Sequence, residues 1–275
     1  MESIASDRLT TLGHPQRLAV FRLLMRRYPD RVPATELALA LSLKPNTLST
    51  YVTALKRSGL VTQERDGTSL RYAINMEAAR ETFDYLINDC CRGRPEICSI
   101  AFPDDFGETK MDDRKYHVLF ICTGNSARSV FAECLLRDTA NSRFVAYSAG
   151  TKHRSELNPF ALEVLKQKGH EVSVLRSKNI SEFQGPDAPQ FDFVFTVCDR
   201  AANEECPSWQ GQPISAHWGL PDPVKVEGSH AEKSLAFQQA YGTLRNRISA
   251  FTSLPIASLD RVSLQRAIDT IGNPD

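Results

Sequence analysis

The feature that most constrains the fold is a short apolar run that ends at a cysteine. Residues 118–121 are all apolar, which is typical of a strand buried on both faces of a parallel sheet. Cys122 follows directly, a loop of small residues comes next, and the apolar pattern of residues 128–136 predicts a helix. A strand, a small-residue loop and a helix in this order point main-chain N–H groups at a single anion.

The residues of this loop suit a nucleophile beside an anion site. Dipoles that bind an anion also stabilise a thiolate, so we expect Cys122 to have a lowered pKa and to be nucleophilic near neutral pH. Arg128 can offer a planar pair of donors to two oxygens of a tetrahedral oxyanion. The alternative is a structural cysteine at a strand end. The remaining residues of the predicted oxyanion-binding loop are Thr123, Gly124, Asn125, Ser126, Ala127 and Ser129.

The segment Cys122-Thr-Gly-Asn-Ser-Ala-Arg128-Ser129 resembles the low-molecular-weight phosphatase fold, and in particular the arsenate reductases built on it. The resemblance runs from about Tyr116 to the C-terminus. Strands and helices alternate over the same residues, which predicts an α/β doubly wound domain with a parallel sheet and ligands beyond the strand C-termini. The four predicted strands are Tyr116–Ile121, Phe144–Ser148, Phe191–Val197 and Pro213–Ala216.

Two more cysteines and one aspartate complete the predicted site. Cys198 directly follows a predicted strand, and Cys206 lies beyond it with seven residues between them. A cysteine beside a nucleophilic one can attack what is bound to it, and a further cysteine can then attack the second. Asp222, before Pro223, offers a general acid for a departing oxygen.

The resemblance assigns a role to each of these residues. It implies that Cys122 attacks arsenate, that Asp222 protonates the leaving oxygen, and that Cys198 and Cys206 form a disulfide relay. It also implies an external dithiol reductant, either thioredoxin or glutaredoxin with glutathione, and no tightly bound cofactor.

Three departures from the family pattern stand out. Seven residues separate the relay cysteines where thioredoxin-coupled members have six, which leaves the order of the relay and the reductant open. Ala127 replaces a second loop cysteine. Val224 and Lys225 follow Asp222-Pro223 where phosphatases carry an aromatic pair that stacks on phosphotyrosine, which favours a reductase.

The first hundred residues predict a winged helix-turn-helix, mostly α with a β wing. Residues 34–41 and 46–57 have helical patterns joined by a turn, and residues 60–65 and 69–74 alternate around the hairpin dipeptide Asp66-Gly67. The polar face of the second helix would enter a major groove. The alternative is a solvated face in a protein-binding domain. The predicted DNA contacts are Lys44, Asn46, Thr50, Thr53 and Arg57 on or before this helix, and Arg65 and Arg71 on the wing.

Residues 12–18 and 49–61 resemble the ArsR-type metalloregulatory repressors. The resemblance implies double-stranded operator DNA as a partner and a homodimer formed through the N-terminal domain, with a dimerisation helix at 77–91. Cys90, Cys91 and Cys98 follow, and three converging thiolates suit trivalent arsenic. We therefore predict arsenite as an inducer, against the alternative of three unconnected thiols beside a linker.

Composition supports two domains in one chain. We predict limits of 1–100 and 114–275 around a polar, Pro- and Gly-broken linker at 101–113. No apolar run could span a membrane and the N-terminal residues lack a signal-peptide pattern, so we predict a cytoplasmic protein. In that compartment, seven cysteines suggest redox or soft-metal chemistry rather than a disulfide scaffold. Residues 1–100 hold 14 Lys and Arg against 11 Asp and Glu, too mild an excess to prove nucleic-acid binding.

The whole pattern predicts an arsenate reductase fused to an arsenite-responsive repressor. Two rivals belong to other classes. One is a protein phosphatase tethered to a DNA-binding domain, and the other is a regulator whose second domain only senses an oxyanion or a redox state.

Overall fold

The computed structural model describes residues 2–91, 114–153, 156–185, 187–204 and 209–273. The chain divides into two compact units, Met1–Phe102 and Pro103–Asp275, each with its own apolar core. The predicted linker at 101–113 lies outside the described residues. Within the described ranges, every helix is too short or too polar to span a lipid bilayer.

The N-terminal unit is mainly helical with a small antiparallel sheet. Its helices are α1 (Glu2–Leu12), α2 (Pro15–Arg26), α3 (Ala34–Ala40), α4 (Pro45–Arg57) and α5 (Met76–Asp84), and its strands are β1 (Val32–Pro33), β2 (Val61–Asp66) and β3 (Ser69–Ile74). Helix α5 continues as a π-helical segment, Tyr85–Cys90, where the sequence predicted an unbroken helix. Helix α1 was not predicted, because it buries only Ala5 and Thr11 and so lacks an apolar stripe.

The predicted winged helix-turn-helix is confirmed. Helix α4 buries Leu48, Val52 and Leu55, which are spaced to lie on one face. Strands β2 and β3 form the wing, an antiparallel hairpin in which Asp66 pairs with Ser69. Gly67 in the turn has a φ of 58°, a conformation that glycine adopts without steric cost.

The C-terminal unit is the predicted four-stranded parallel sheet with helices on it. The strand order is β5-β4-β6-β7. The elements are β4 (Tyr116–Cys122), α6 (Arg128–Ala140), β5 (Phe144–Gly150), α7 (Pro159–Gln167), β6 (Phe193–Thr196), α8 (Asp199–Asn203), β7 (Ile214–His217), α9 (His230–Thr252) and α10 (Arg261–Gly272).

The register brings the ends of all four strands to one edge of the sheet. Cys122 pairs with Gly150, and Ile121 pairs with Thr196, which pairs in turn with His217. The sheet behind this edge is packed with aromatic rings, among them Phe195 and Trp218, whose centroids are 4.2 Å apart. The loops that follow these strands therefore start from a rigid platform, as ligand sites in open parallel sheets do.

Candidate functional site

The loop after β4 wraps around the Cys122 sulfur. The main-chain N–H of Asn125 donates to Cys122 Sγ over 3.1 Å, and Ser129 Oγ lies 2.9 Å from the same sulfur. Asn125 has a φ of 42°, a left-handed conformation that asparagine tolerates better than most residues. Arg128 begins α6 directly after the loop. The predicted strand–loop–helix arrangement around Cys122 is present in the structure.

Main-chain hydrogen bonds from neighbouring segments hold the loop in place. The N–H groups of residues 151, 152 and 158 donate to the carbonyls of Cys122, Thr123 and Ser126 over 2.9–3.1 Å. A Cβ at Gly150 would lie 2.8 Å from Thr123 O and 3.0 Å from Asn125 N, so only glycine permits this approach. Sequence reasoning missed Gly150, although its position two residues after a predicted strand was a usable signal. Of the other loop residues, Ser126 and Ala127 are buried, and Thr123 and Gly124 are partly exposed.

The expected lowered pKa of Cys122 is wrong for this structure. Burial raises the pKa of the Cys122 thiol, and the neighbouring Cys198 raises it further. Hydrogen bonds from the Ser129 hydroxyl and main chain lower the pKa of Cys122, and the charge of Arg128 does so as well. Since Cys122 is only 3% exposed, loss of hydration outweighs these stabilising contacts.

A buried polar chain runs from the loop into the domain. Asn125 Nδ2 donates to Ser129 Oγ over 2.9 Å and to Ser148 Oγ over 2.8 Å. Ser148 Oγ donates to Glu133 Oε2 over 2.6 Å, and Lys178 Nζ lies 2.8 Å from both Glu133 oxygens. Sequence reasoning missed Ser148, Glu133 and Lys178. Only Ser148 carried a signal, because it lies near the end of a predicted strand.

Cys198 lies at the same edge of the sheet as Cys122. Its Sγ is 3.4 Å from Thr123 Oγ1 in the loop, and the residue is 1% exposed. The structure thus brings one of the two predicted relay cysteines to the loop that surrounds the predicted nucleophile. Cys206 lies outside the described residues.

Arg128 and Asp222 are in direct contact. Arg128 NH2 lies 3.0 Å from Asp222 Oδ2, and Arg128 NH1 donates to the Leu220 carbonyl over 3.1 Å. Both side chains are largely buried. The predicted oxyanion-binding arginine and the predicted acid therefore belong to one site, with the carboxylate against the guanidinium.

A separate cluster of potential metal ligands joins two residues of α6 to His170. Ligand atoms of Cys134, Asp138 and His170 lie within 4.8 Å of one another, as metal ligands do. However, Arg137 NH2 donates to Cys134 Sγ over 3.3 Å and also contacts Asp138. Burial and the Asp138 carboxylate raise the pKa of Cys134 to about 12, so this sulfur is a poor metal ligand. The cluster is a hydrogen-bonded network, and Cys134 is a core residue as its helical position predicted.

Cys134 is expected to resist iodoacetamide at pH 8 in the folded protein. A thiol whose pKa is raised to about 12 is almost wholly protonated at that pH, and this one is fully buried. Peptide mass spectrometry after timed alkylation measures this directly. Modification of Cys134 as fast as that of the exposed Cys90 would contradict the assignment.

Six of the seven predicted DNA-contacting residues are exposed in the N-terminal unit. Lys44 is the N-cap residue of α4. Arg71 differs from the others, because its guanidinium pairs with Asp66 over 2.9 Å, which leaves it less able to bind a phosphate. The exposed residues are Lys44, Asn46, Thr50, Thr53, Arg57 and Arg65.

The predicted arsenite ligands are only partly described. Cys90 is exposed at the end of the π-helical segment, and Cys91 is partly exposed just after it. Cys98 lies outside the described residues, so the three-thiolate site stays a prediction.

In comparisons with known proteins, a different family model matches each of the two units. The family model described as low molecular weight phosphotyrosine protein phosphatase matches residues 117–264, and a helix-turn-helix domain model matches residues 12–64. The arsenate reductase of Bacillus licheniformis is 34% identical over 138 residues, which cover 50% of this chain and 95% of that protein. The arsenate reductase of Bacillus subtilis is 34% identical over 134 residues, 49% of this chain and 93% of that protein.

One solved structure similar to this chain is an arsenate reductase from Archaeoglobus fulgidus. It is 23% identical, covers 48% of this chain and 98% of its own, and has a TM-score of 0.39. The family assignment rests instead on the model match, which takes in more than half of the 275 residues. The match to this family also agrees with the parallel sheet and with the loop around Cys122. With a helix-turn-helix domain before it, this chain belongs to the low molecular weight phosphotyrosine protein phosphatase family.

Proposed function

We propose that the C-terminal unit reduces arsenate to arsenite through a cysteine relay, and that the N-terminal unit is a transcriptional repressor released from DNA by arsenite. The observation that carries the first part is the buried Cys198 sulfur, 3.4 Å from the Thr123 hydroxyl in the loop that surrounds Cys122. Hydrolysis of a phosphate ester needs no second thiol at this position, whereas reduction does. The 34% identity to arsenate reductases supports the same conclusion.

In the first step the Cys122 thiol passes its proton to an arsenate oxygen, and its sulfur attacks the arsenic. A sulfur–arsenic bond forms, and one oxygen leaves as water with a proton supplied by Asp222. Arg128 and the loop amides hold the remaining oxygens. Because Arg128 contacts Asp222 directly, an oxyanion in the loop competes with this carboxylate for the guanidinium. The released Asp222 takes up the proton that it then gives to the leaving oxygen.

The second step transfers the electrons. The Cys198 thiolate attacks the Cys122 sulfur, the sulfur–sulfur bond forms, and the sulfur–arsenic bond breaks with its electron pair moving onto arsenic, which leaves as arsenite. Cys206 then attacks Cys198 and releases the Cys122 thiolate. The resulting Cys198–Cys206 disulfide is reduced by an external dithiol of the thioredoxin or glutaredoxin type, so two thiols are oxidised for each arsenate reduced.

A phosphatase is the second candidate, because the family match itself carries that name. Against it, Val224 packs on the apolar core after Asp222-Pro223, and no aromatic ring follows there to stack on a phosphotyrosine.

Parallel assays separate the two functions. Arsenite formation is measured with thioredoxin and with glutaredoxin systems, and phosphate release is measured from a phosphotyrosine peptide. The proposal expects arsenate turnover that depends on the dithiol and little phosphate release. Phosphate release without arsenate turnover would support the phosphatase, and operator release by arsenite without any turnover would support a pure sensor.

For the N-terminal unit we propose a homodimer that binds operator DNA, with arsenite on Cys90, Cys91 and Cys98 as the releasing signal. The exposed polar face of α4 supports groove binding.

Replacing Arg57 with alanine is expected to weaken DNA binding about tenfold and to reduce its salt dependence, because an arginine at the end of the exposed face of α4 would contact a phosphate. Duplexes selected from a random library by the full-length protein serve as the probe, and fluorescence anisotropy gives the affinity. Arg22→Ala, on the exposed side of α2, is the matched control and should bind like the parent. Equal affinities of all three proteins would argue against the proposed DNA surface.

A further inference from the structure

The buried ion pair between Lys178 and Glu133 has no role in the chemistry described so far. The Lys178 ammonium contacts both oxygens of Glu133 at 2.8 Å, and the two side chains are only 9% and 13% exposed. Burying two charges costs free energy even when they are paired, so a buried pair is weak evidence for a stabilising role. Its hydrogen-bonded connection to the loop around Cys122 indicates a role other than stabilising the fold.

The hydrogen bonds between this pair and the loop have a fixed direction. An ionised carboxylate only accepts, so the Ser148 hydroxyl must give its proton to Glu133. The Ser148 oxygen is then left to accept from Asn125 Nδ2. The main-chain N–H of Lys178 donates to Asn125 Oδ1 over 2.6 Å, which sets the orientation of the same amide from its other side.

The donor and acceptor roles are also fixed between Asn125 and the Cys122 sulfur. Asn125 Nδ2 also donates to Ser129 Oγ, so the Ser129 hydroxyl is an acceptor in that contact and its own proton is free to point at Cys122 Sγ, 2.9 Å away. Ser129 and Glu133 are four residues apart on α6 and lie on the same face, which allows one helix to carry both ends of the chain.

We propose that the Lys178–Glu133 ion pair acts as a positioning device that fixes the direction of this hydrogen-bond chain, so that Ser129 donates to the Cys122 sulfur. The proposal rests on the proposed function, since it concerns the nucleophile of that site. Lys178 holds the Glu133 carboxylate in place. The carboxylate accepts the proton of Ser148, and Ser148 and the Lys178 main chain hold the Asn125 amide.

Other charged groups near the two ends are engaged elsewhere. Around Glu133, Arg137 contacts Asp138, and Arg176 pairs with Glu182 at 2.6 Å. Cys134, also near Glu133, is protonated because its pKa is raised to about 12. Around Cys122, the charged or titratable neighbours are Arg128 and Cys198. None of these residues contacts Ser148 or Asn125 in the described hydrogen bonds, so the chain begins at Lys178.

The test is the pH dependence of Cys122 alkylation in the full-length protein. Iodoacetamide reacts with the thiolate, and mass spectrometry of the peptide that contains Cys122 separates it from the other cysteines. In Lys178→Met the main-chain bond to Asn125 stays, but the ammonium is lost. We expect the alkylation midpoint to move to higher pH and the rate at pH 7 to fall about fivefold, the size expected for losing one hydrogen bond. Lys166→Met, an exposed lysine on α7, should react like the parent.

Ser148→Ala breaks the chain without leaving a charge unpaired, so it tests the proposal even if Lys178→Met folds poorly in thermal unfolding. The same upward shift is expected. In the double variant the two effects should overlap rather than add, because both changes act through one link. An unchanged pH profile in Ser148→Ala, or additive effects in a folded double variant, would overturn the proposal. Since alkylation uses no arsenate, this outcome is independent of whether the protein reduces arsenate.

Discussion

A Cys198→Ser variant is expected to lose steady-state arsenate reduction, to below about 1% of the parent rate, while it still binds the oxyanion. A serine hydroxyl cannot form the disulfide that delivers two electrons to arsenic, so the arsenic would stay bound to Cys122 without being reduced. The serine would still fit the buried site beside Thr123, because oxygen is smaller than sulfur. Arsenite formation with a thioredoxin system is the measurement of turnover.

Protection experiments show whether the Cys198→Ser variant still binds arsenate at Cys122. Arsenate should protect Cys122 from iodoacetamide in both the parent and Cys198→Ser. Cys134→Ser is the matched control, since it changes a buried cysteine on α6 that belongs to a separate network, and it should retain turnover. Normal arsenite production by Cys198→Ser would remove Cys198 from the relay.

Asp222→Asn is expected to lower kcat for arsenate reduction about a hundredfold or more, within the range known for general acids. An amide keeps the shape of the side chain but cannot donate a proton to the departing oxygen at a useful rate. The contact with Arg128 can persist through the amide oxygen, so oxyanion binding should change much less than kcat.

The kinetic split separates this role from simple positioning. Asp260→Asn, at the N-cap of α10, is the matched control because asparagine also caps helices well, and its kcat should equal that of the parent. If Asp222→Asn raised only KM and left kcat unchanged, Asp222 would hold Arg128 and would not be the acid.

The sequence predicted those parts of the protein whose structure depends on residues that are close together in the chain. An all-apolar strand, a small-residue loop and a helix are contiguous, so residues 116–140 could be assigned from one short stretch. The wing was predicted because Asp66-Gly67 is a hairpin dipeptide between two alternating segments. Helix α1 was not predicted, because its burial depends on other elements rather than on an apolar stripe of its own.

The properties that depend on packing could not be predicted in this way. The pKa of Cys122 was expected to be lowered by the loop, yet burial dominates and raises it, and burial is known only when the domain is folded. Glu133 and Lys178 are 45 residues apart and belong to no motif, so nothing in the sequence indicated that they meet behind the loop. Gly150 is specified by the approach of Thr123 and Asn125, which also appears only in three dimensions.

A single turnover without external reductant tests the central claim most directly. The fully reduced protein is mixed with excess arsenate, arsenic species are separated and counted, and the thiols are mapped by mass spectrometry. We predict about one arsenite per chain, with two thiols lost and a disulfide between Cys198 and Cys206. If no arsenite forms and all thiols remain, the protein is not an arsenate reductase.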